Sequence, residues 1–213
     1  MRALIPVALL LAATPVMAQE LPPAEPAPEA APDSPPASTI ETVTKAEADG
    51  TGTTIHSAVI AAPVAAVWTA ISTPEGWRGW AAPLARWAEG ESDVIETSYN
   101  PDELAGGPGA IWQQFVARIP GRLLVFRTIK VPDDFPHGDA YKQVTSFIEL
   151  QPEGAGTRLT LTATGYPDSE GGRALVAFFA KGNAVAIEAL RRDLAAPPKP
   201  PVAESVVADP PAG

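Results

Sequence analysis

The chain has 213 residues, 25 of them proline and none cysteine, and a formal net charge of −10, which leaves room for one ordinary domain with flanking segments. The lack of cysteine excludes disulfides, thiolate zinc sites and lipoprotein attachment through a cysteine. An isoelectric point near 4.6 without a basic cluster argues against binding nucleic acid or gripping anionic lipid.

The amino terminus has a short basic start, Met1–Arg2, an apolar run from Ala3 to Ala13, and Val16 and Ala18 at small-residue spacing. This pattern predicts a signal peptide over residues 1–18, cleaved before Gln19, and so an exported protein, periplasmic or secreted. The apolar run is about half of the ~20 residues needed to span a bilayer, so no stable membrane insertion is expected after cleavage. Residues 19–50 read as a Pro/Ala/Glu-rich disordered linker, with seven acids against one base. Such a stretch is extended and acts as a semi-rigid spacer. Residues 196–213 read likewise as a Pro-rich disordered tail. Every tryptophan, tyrosine and phenylalanine falls in 51–194, where sixteen acids face twelve bases. The folding domain is therefore expected at 51–195.

Within it, Thr53–Ile60 reads as a strand. Pro63 opens a helix whose Val64, Val67, Trp68 and Ile71 fall at i, i+3, i+4 and i+7 on one face. Thr73-Pro74-Glu75 restarts the pattern as cap, first helical residue and dipole partner of a short second helix carrying Trp77 and Trp80. Asp93–Ser98 reads as a strand and Asn100–Gly109 as a loop. Ala110–Ile119 and Arg122–Lys130 flank the turn Pro120-Gly121. Val144–Leu150 and Thr157–Gly165 alternate apolar and polar residues around a hairpin loop. Ser169–Leu194 is a helix, stopped by Pro197-Pro198; about 25 residues give roughly 37 Å, which has to lie across a large apolar surface. The fold class that follows is α+β, a curved antiparallel sheet gripping a long C-terminal helix, with two short helices after the first strand.

Ala62-Pro63-Val64-Ala65-Ala66-Val67-Trp68, followed by Pro74-Glu75 and Trp77-Arg78-Gly79-Trp80, resembles the opening motif of the SRPBCC (START-like, helix-grip) superfamily. Its likeness is to the branch named after the activator of the heat-shock chaperone's ATPase and to polyketide cyclase-like domains. Ile119-Pro120-Gly121-Arg122-Leu123-Leu124 is similar to that branch's proline-arginine-leucine hairpin. Gly156–Tyr166 is similar to its glycine-threonine-rich penultimate strand. One departure stands out. The family's last helix usually carries Gly-Trp, whereas here Gly182 is followed by Asn183. The resemblance implies an apolar cavity between sheet and terminal helix, and proteins that bind lipids, sterols or polyketides, with cyclases, hydrolases and co-chaperones among them.

Groups able to do chemistry are few. His56 lies on a strand, where a structural partner is the favoured reading; His137 sits among Asp133, Asp134 and Asp139. That cluster could hold a divalent cation, but its spacing matches no calcium loop and a solvated acidic loop is the preferred reading. Arg118, Arg122 and Arg127 are expected on a solvated sheet face. No nucleophile elbow or phosphate-binding loop is present, and no metal or cofactor is implied. The aromatic residues carry the functional expectation: Trp80, Trp112, Phe126 and Phe178 are the candidate contacts to a bound apolar molecule. Of Trp77, Trp80 and Trp87, at least one should line a cavity mouth or remain exposed. The leading reading is a carrier or binding domain for a small hydrophobic molecule. A cyclase- or hydrolase-like enzyme is the alternative, and a co-chaperone-like interaction domain, at odds with export, the second. Nothing in the sequence sets an oligomeric state.

Overall fold

A computed structural model of the chain describes residues 39–195. The signal-peptide segment 1–18, linker residues 19–38 and the tail 196–213 lie outside the described residues. Eight strands, β1 (Glu41–Ala46), β2 (Gly52–Ile60), β3 (Leu84–Trp87), β4 (Val94–Ser98), β5 (Ile111–Ile119), β6 (Leu123–Lys130), β7 (Thr145–Glu153) and β8 (Gly156–Tyr166), form one antiparallel sheet. Their order is β1-β2-β8-β7-β6-β5-β4-β3. After β2 the chain crosses by α1 (Val64–Ser72) and α2 (Pro74–Trp80) to the far edge, then returns strand by strand until β8 closes against β2. A single turn, α3 (Gly138–Tyr141), precedes β7, and the 26-residue α4 (Glu170–Ala195) ends the domain. The α+β helix-grip expectation describes this architecture.

The helices begin and end where local chemistry directs. Pro63 stands at the N-cap of α1, and the expected stripe turns Val67 and Ile71 into the core. Thr73 closes α1 and caps α2: its Oγ1 accepts from the Gly76 N–H at 3.1 Å, with Pro74 at the first helical position. The last carbonyls of α1 would otherwise be orphaned. Two tryptophans of α2 satisfy them, Trp77 Nε1 donating to the Ile71 carbonyl at 2.6 Å and Trp80 Nε1 to that of Ala70 at 3.0 Å. The two helices are thereby locked into one corner.

The linker expectation is corrected at its carboxyl end. Residues 41–46 are not spacer but an edge strand, in register with β2 from Glu41 opposite Ser57 to Ala46 opposite Gly52. All six residues are exposed, so no inward apolar set marks the strand in sequence; its stability comes from pairing. Asp49 reverses the chain, its Oδ1 accepting from the Thr51 N–H at 3.0 Å and hydroxyl at 2.7 Å. The strand β3, four residues long and ending in Trp87, and the turn α3 also carry no mark in the sequence. β7 runs on to Glu153 beyond its expected end at Leu150.

The core lies between the sheet and the helices, with Ile60, Ile71, Ile95, Leu124, Ile148, Leu159, Ile187 and Leu190 fully or almost fully buried. A second cluster, Val144, Ala163, Tyr166 and Leu175, lies under the first half of α4 beside Phe135, Tyr141 and Phe179. Pairing slips twice in β5, at Trp112/Gln113 and at Phe115/Ala117, and such bulges bend a strand and sharpen its twist. Among the described residues no helix is long and apolar enough to cross a membrane.

Candidate functional site

An internal cavity of about 250 Å³ separates the sheet from α4. Ile71, Trp77 and Trp80 close one end from the helical corner. Alternate residues of β4–β8 make the floor, among them Thr97, Ile111, Gln113, Phe126, Ile148, Leu159 and Leu161. α4 supplies the roof through Phe178, Phe179, Asn183, Ala186, Ile187 and Leu190. The spacing 179, 183, 186, 187, 190 is one face of a helix, so a single stripe of α4 does the covering. Tyr99, Pro132, Phe135 and Tyr141 complete the wall. Phe135, Tyr141, Phe178 and Phe179 form a continuous aromatic group, with Tyr141 stacked on Phe179 at 4.6 Å between centroids and Phe178 edge-on to Phe179 at 5.0 Å. Phe178 remains 58 % exposed, as expected of a ring at an opening rather than in a core. A second hollow, of about 280 Å³, lies between β1, the start of β2 and the first turn of α4. Of its charged residues, Arg173 pairs with Asp168 at 2.8 Å and Lys45 with Glu47 at 3.0 Å.

One polar cluster interrupts the apolar wall. Gln113 on β5 and Thr128 on β6 are directly opposed, and the Thr128 hydroxyl donates to the Gln113 Oε1 at 2.9 Å. Both side chains are buried, Gln113 at 7 % exposure. The Tyr141 hydroxyl meets the same two side chains. Burial pushes the Tyr141 pKa above its ordinary value, against the lowering effect of Thr128 and Gln113, so the phenol stays protonated at neutral pH. Among the described lining residues none carries a formal charge at neutral pH.

Of the residues expected to contact a ligand, Trp80, Phe126 and Phe178 line this cavity. Trp112 does not, and that expectation is corrected. Its neighbours Ile111 and Gln113 point inward, so alternation sends Trp112 to the opposite side of the sheet. There it belongs to a transverse row across four strands, Arg86 opposite Glu96, Glu96 opposite Trp112, Trp112 opposite Lys130. Glu96 is 0 % exposed. It accepts from Arg86 Nη2 at 2.5 Å, from Trp112 Nε1 at 3.0 Å and from the Gly106 N–H at 3.0 Å. Lys130 Nζ, 5.7 Å from the Trp112 ring centroid, donates to the carbonyls of Gly106 and Gly107 at 2.7 and 2.5 Å. The row pins the 99–110 loop over the outer side of the sheet, and Tyr99, which starts that loop, sits on the cavity wall.

The residues missed from sequence are Gln113, Tyr141, Phe135 and Asn183. Trp77, one of the three tryptophans of which at least one was expected at a cavity mouth or exposed, lines the wall beside Trp80. Gln113 carried a signal, a polar residue between Ile111 and Phe115 on an otherwise apolar strand face. Asn183 also did, as the polar residue that replaces the family's tryptophan. Of the two histidines, His56 is 0 % exposed on β2 and its Nε2 donates to the Ala180 carbonyl of α4 at 3.1 Å. Its Nδ1 has no hydrogen-bond partner among the described residues, and burial lowers its pKa, with the Ala180 bond acting the other way. His137 takes the left-handed backbone at the N-cap of α3, and Asp139 pairs with Lys142 at 2.7 Å. Among the described residues no three acidic or imidazole side chains converge as a metal site. Arg118, Arg122 and Arg127 are exposed, with Arg118 paired to Asp93 and Arg127 Nε donating to Gln114 at 3.0 Å.

An antiparallel sheet closed by one long helix over an internal apolar cavity is the helix-grip architecture of the SRPBCC superfamily. Comparison with known proteins agrees. Residues 51–196 match the family described as "Polyketide cyclase / dehydrase and lipid transport", and the chain belongs to that family. No curated protein matches the sequence. Solved structures do match the fold. A protein from Arthrobacter aurescens superposes with a TM-score of 0.54 at 18% identity, over 74% of this chain and 92% of its own. The Aha1 dimer from Colwellia psychrerythraea gives 0.52 at 16% identity, over 66% and 93%. CalU16 from Micromonospora echinospora gives 0.51 at 17%, over 74% and 87%. At these identities the likeness is one of fold.

Proposed function

We propose that the protein, exported and freed of residues 1–18, binds or carries a small hydrophobic molecule in the cavity between its sheet and α4. The observation that carries this reading is the cavity itself: about 250 Å³, walled by Trp77, Trp80, Phe126, Ile148, Leu161 and Phe178 with few polar groups among them. Pockets of this kind bind apolar molecules by removing their surface from water, at ~25 cal/mol per Å² of buried apolar area. The volume is below the ~300–1,000 Å³ usual for drug-sized ligands, which favours a molecule of bicyclic or medium-chain size over a sterol. Membership of a family that includes lipid transport supports the same reading.

Trp77 and Trp80 stand on the wall, so binding reports itself. Titration of the full mature chain with naphthalene derivatives and medium-chain ketones and alcohols should give saturable changes in tryptophan fluorescence. A linear, unsaturable response across the whole panel would sink the cavity reading. Export is tested separately: fractionation of the native host should recover a chain beginning at Gln19 outside the cytoplasm.

A further inference from the structure

Closed on itself as a ring, the polar cluster in the wall has one donor to spare. Thr128 donates its hydroxyl proton to Gln113 Oε1, and Tyr141 meets both side chains. A hydroxyl carries one donor hydrogen and a carboxamide two, so Thr128, Tyr141 and Gln113 together hold four. A ring closed among the three side chains would use three: Thr128 to Gln113 oxygen, one Gln113 N–H to Tyr141 oxygen and Tyr141 O–H to Thr128 oxygen. Such a ring leaves one N–H of the Gln113 carboxamide for another acceptor, on a side chain that is 7 % exposed and lines the cavity. A buried donor without an acceptor is costly, at roughly 1–3 kcal/mol. Asn183, across the cavity on α4, adds a second carboxamide.

From this, and resting on the reading that the cavity binds an apolar molecule, we infer that the ligand is an uncharged compound bearing a carbonyl or similar hydrogen-bond acceptor, which docks on the Gln113 carboxamide N–H. The acceptor has to be neutral because no described lining residue supplies a positive charge. A carboxylate there would be buried without a counter-ion, a far larger cost than that of a neutral group. The bulge between Trp112 and Gln113 builds this arrangement. It pairs Gln113 with Thr128 and Trp112 with Lys130, so Thr128 meets the inward-facing Gln113 while Lys130, two residues on, is turned to the outer side over Trp112. The sheet thus holds Lys130 out of the site while keeping the amide in it.

Three probes of nearly one shape separate the alternatives: 2-acetylnaphthalene, 2-ethylnaphthalene and 2-naphthoate, measured by equilibrium dialysis against the full mature chain at pH 8. The expected result is at least tenfold weaker binding of the naphthoate than of the ketone. Gln113→Leu should weaken the ketone about fivefold, the worth of one neutral hydrogen bond, and leave the ethyl compound unchanged or tighter. Gln113→Met, unbranched like the native residue, repeats the test if the leucine variant folds poorly. The wild-type comparison of ketone with naphthoate needs no variant. Naphthoate binding as tightly as the ketone, or a ketone-to-ethyl ratio untouched by both substitutions, overturns the inference while leaving the cavity reading intact. Failure of all three probes to bind overturns both.

Discussion

Glu96 is the residue on which the outer side of the sheet is organised. Its carboxylate has no exposure to water and faces the Arg86 guanidinium, the Trp112 indole N–H and the Gly106 backbone N–H. Removing one partner of a buried ion pair leaves the other uncompensated. The Arg86 side chain is itself one-third exposed, and Glu96 keeps two other donors. Arg86→Met is therefore expected to cost about 1.5–3 kcal/mol, the worth of a hydrogen bond to a charged group, read as a fall in urea midpoint at unchanged slope. Glu96→Gln turns an amide donor toward groups that are all donors, and should lower Tm and loosen the 99–110 loop in hydrogen exchange. His56 sets a pH dependence. Its folded pKa lies below the ordinary value of 6.5 because the ring is buried. Between that depressed pKa and 6.5 the unfolded chain binds more protons than the folded one, so stability rises with pH across this window and is complete above it. Acidification from pH 7.5 toward 5 should lower Tm, and His56→Phe should flatten that part of the profile; an identical pH profile in the variant would refute the assignment.

At the scale of elements, the two short helices act as one piece. Gly76 sits where α2 passes the last turn of α1, and a Cβ there would meet the Ala70 carbonyl and Cα and the Thr69 carbonyl, all backbone atoms with nowhere to move. Gly76→Ala should therefore destabilise in spite of its better helix propensity, whereas Gly154→Asn, at φ 57 in the open β7–β8 turn, should be nearly neutral. Thermal melts of the pair give opposite readings of one residue type. Elements with a strong internal period were legible from sequence. The α1 stripe, the Thr73-Pro74 restart and the Leu159–Leu161–Ala163 alternation of β8 each state a buried face within a few residues. β1 and β3 were not, since one has no buried side and the other spans only Leu84–Trp87. Trp112 was misplaced for a different reason. Alternation separates Trp112 from Gln113 but does not say which of the two faces the helix, and hydrophobicity alone favours the tryptophan. The 99–110 loop covers Glu96 on the outer side, where the indole finds that carboxylate and the carboxamide is left to the cavity.

For the whole molecule, volume is what distinguishes a binding domain from a filled one. Asn183 lies on the cavity face of α4. Asn183→Trp would place an indole in the space that a ligand occupies, with apolar contacts to spare. The expected outcome is at least tenfold weaker binding of 2-acetylnaphthalene by dialysis, with Tm unchanged or raised. Binding unchanged in that variant would show that the ligand sits elsewhere.

Sequence by itself determined the class of this domain and the order of its main elements, because helical stripes, strand alternation, caps and breakers are local and each residue's neighbours in the chain decide them. It also set the pool of side chains from which a site could be made, fourteen aromatics and two histidines. Only the tertiary structure decided which side chains, aromatic or polar, gather at a void. Gln113, Thr128, Tyr141 and Asn183 come from four different elements, and they converge through register, a bulge and the seating of α4 on the sheet. Those are set by the summed packing of the whole core, a quantity that no window of sequence contains.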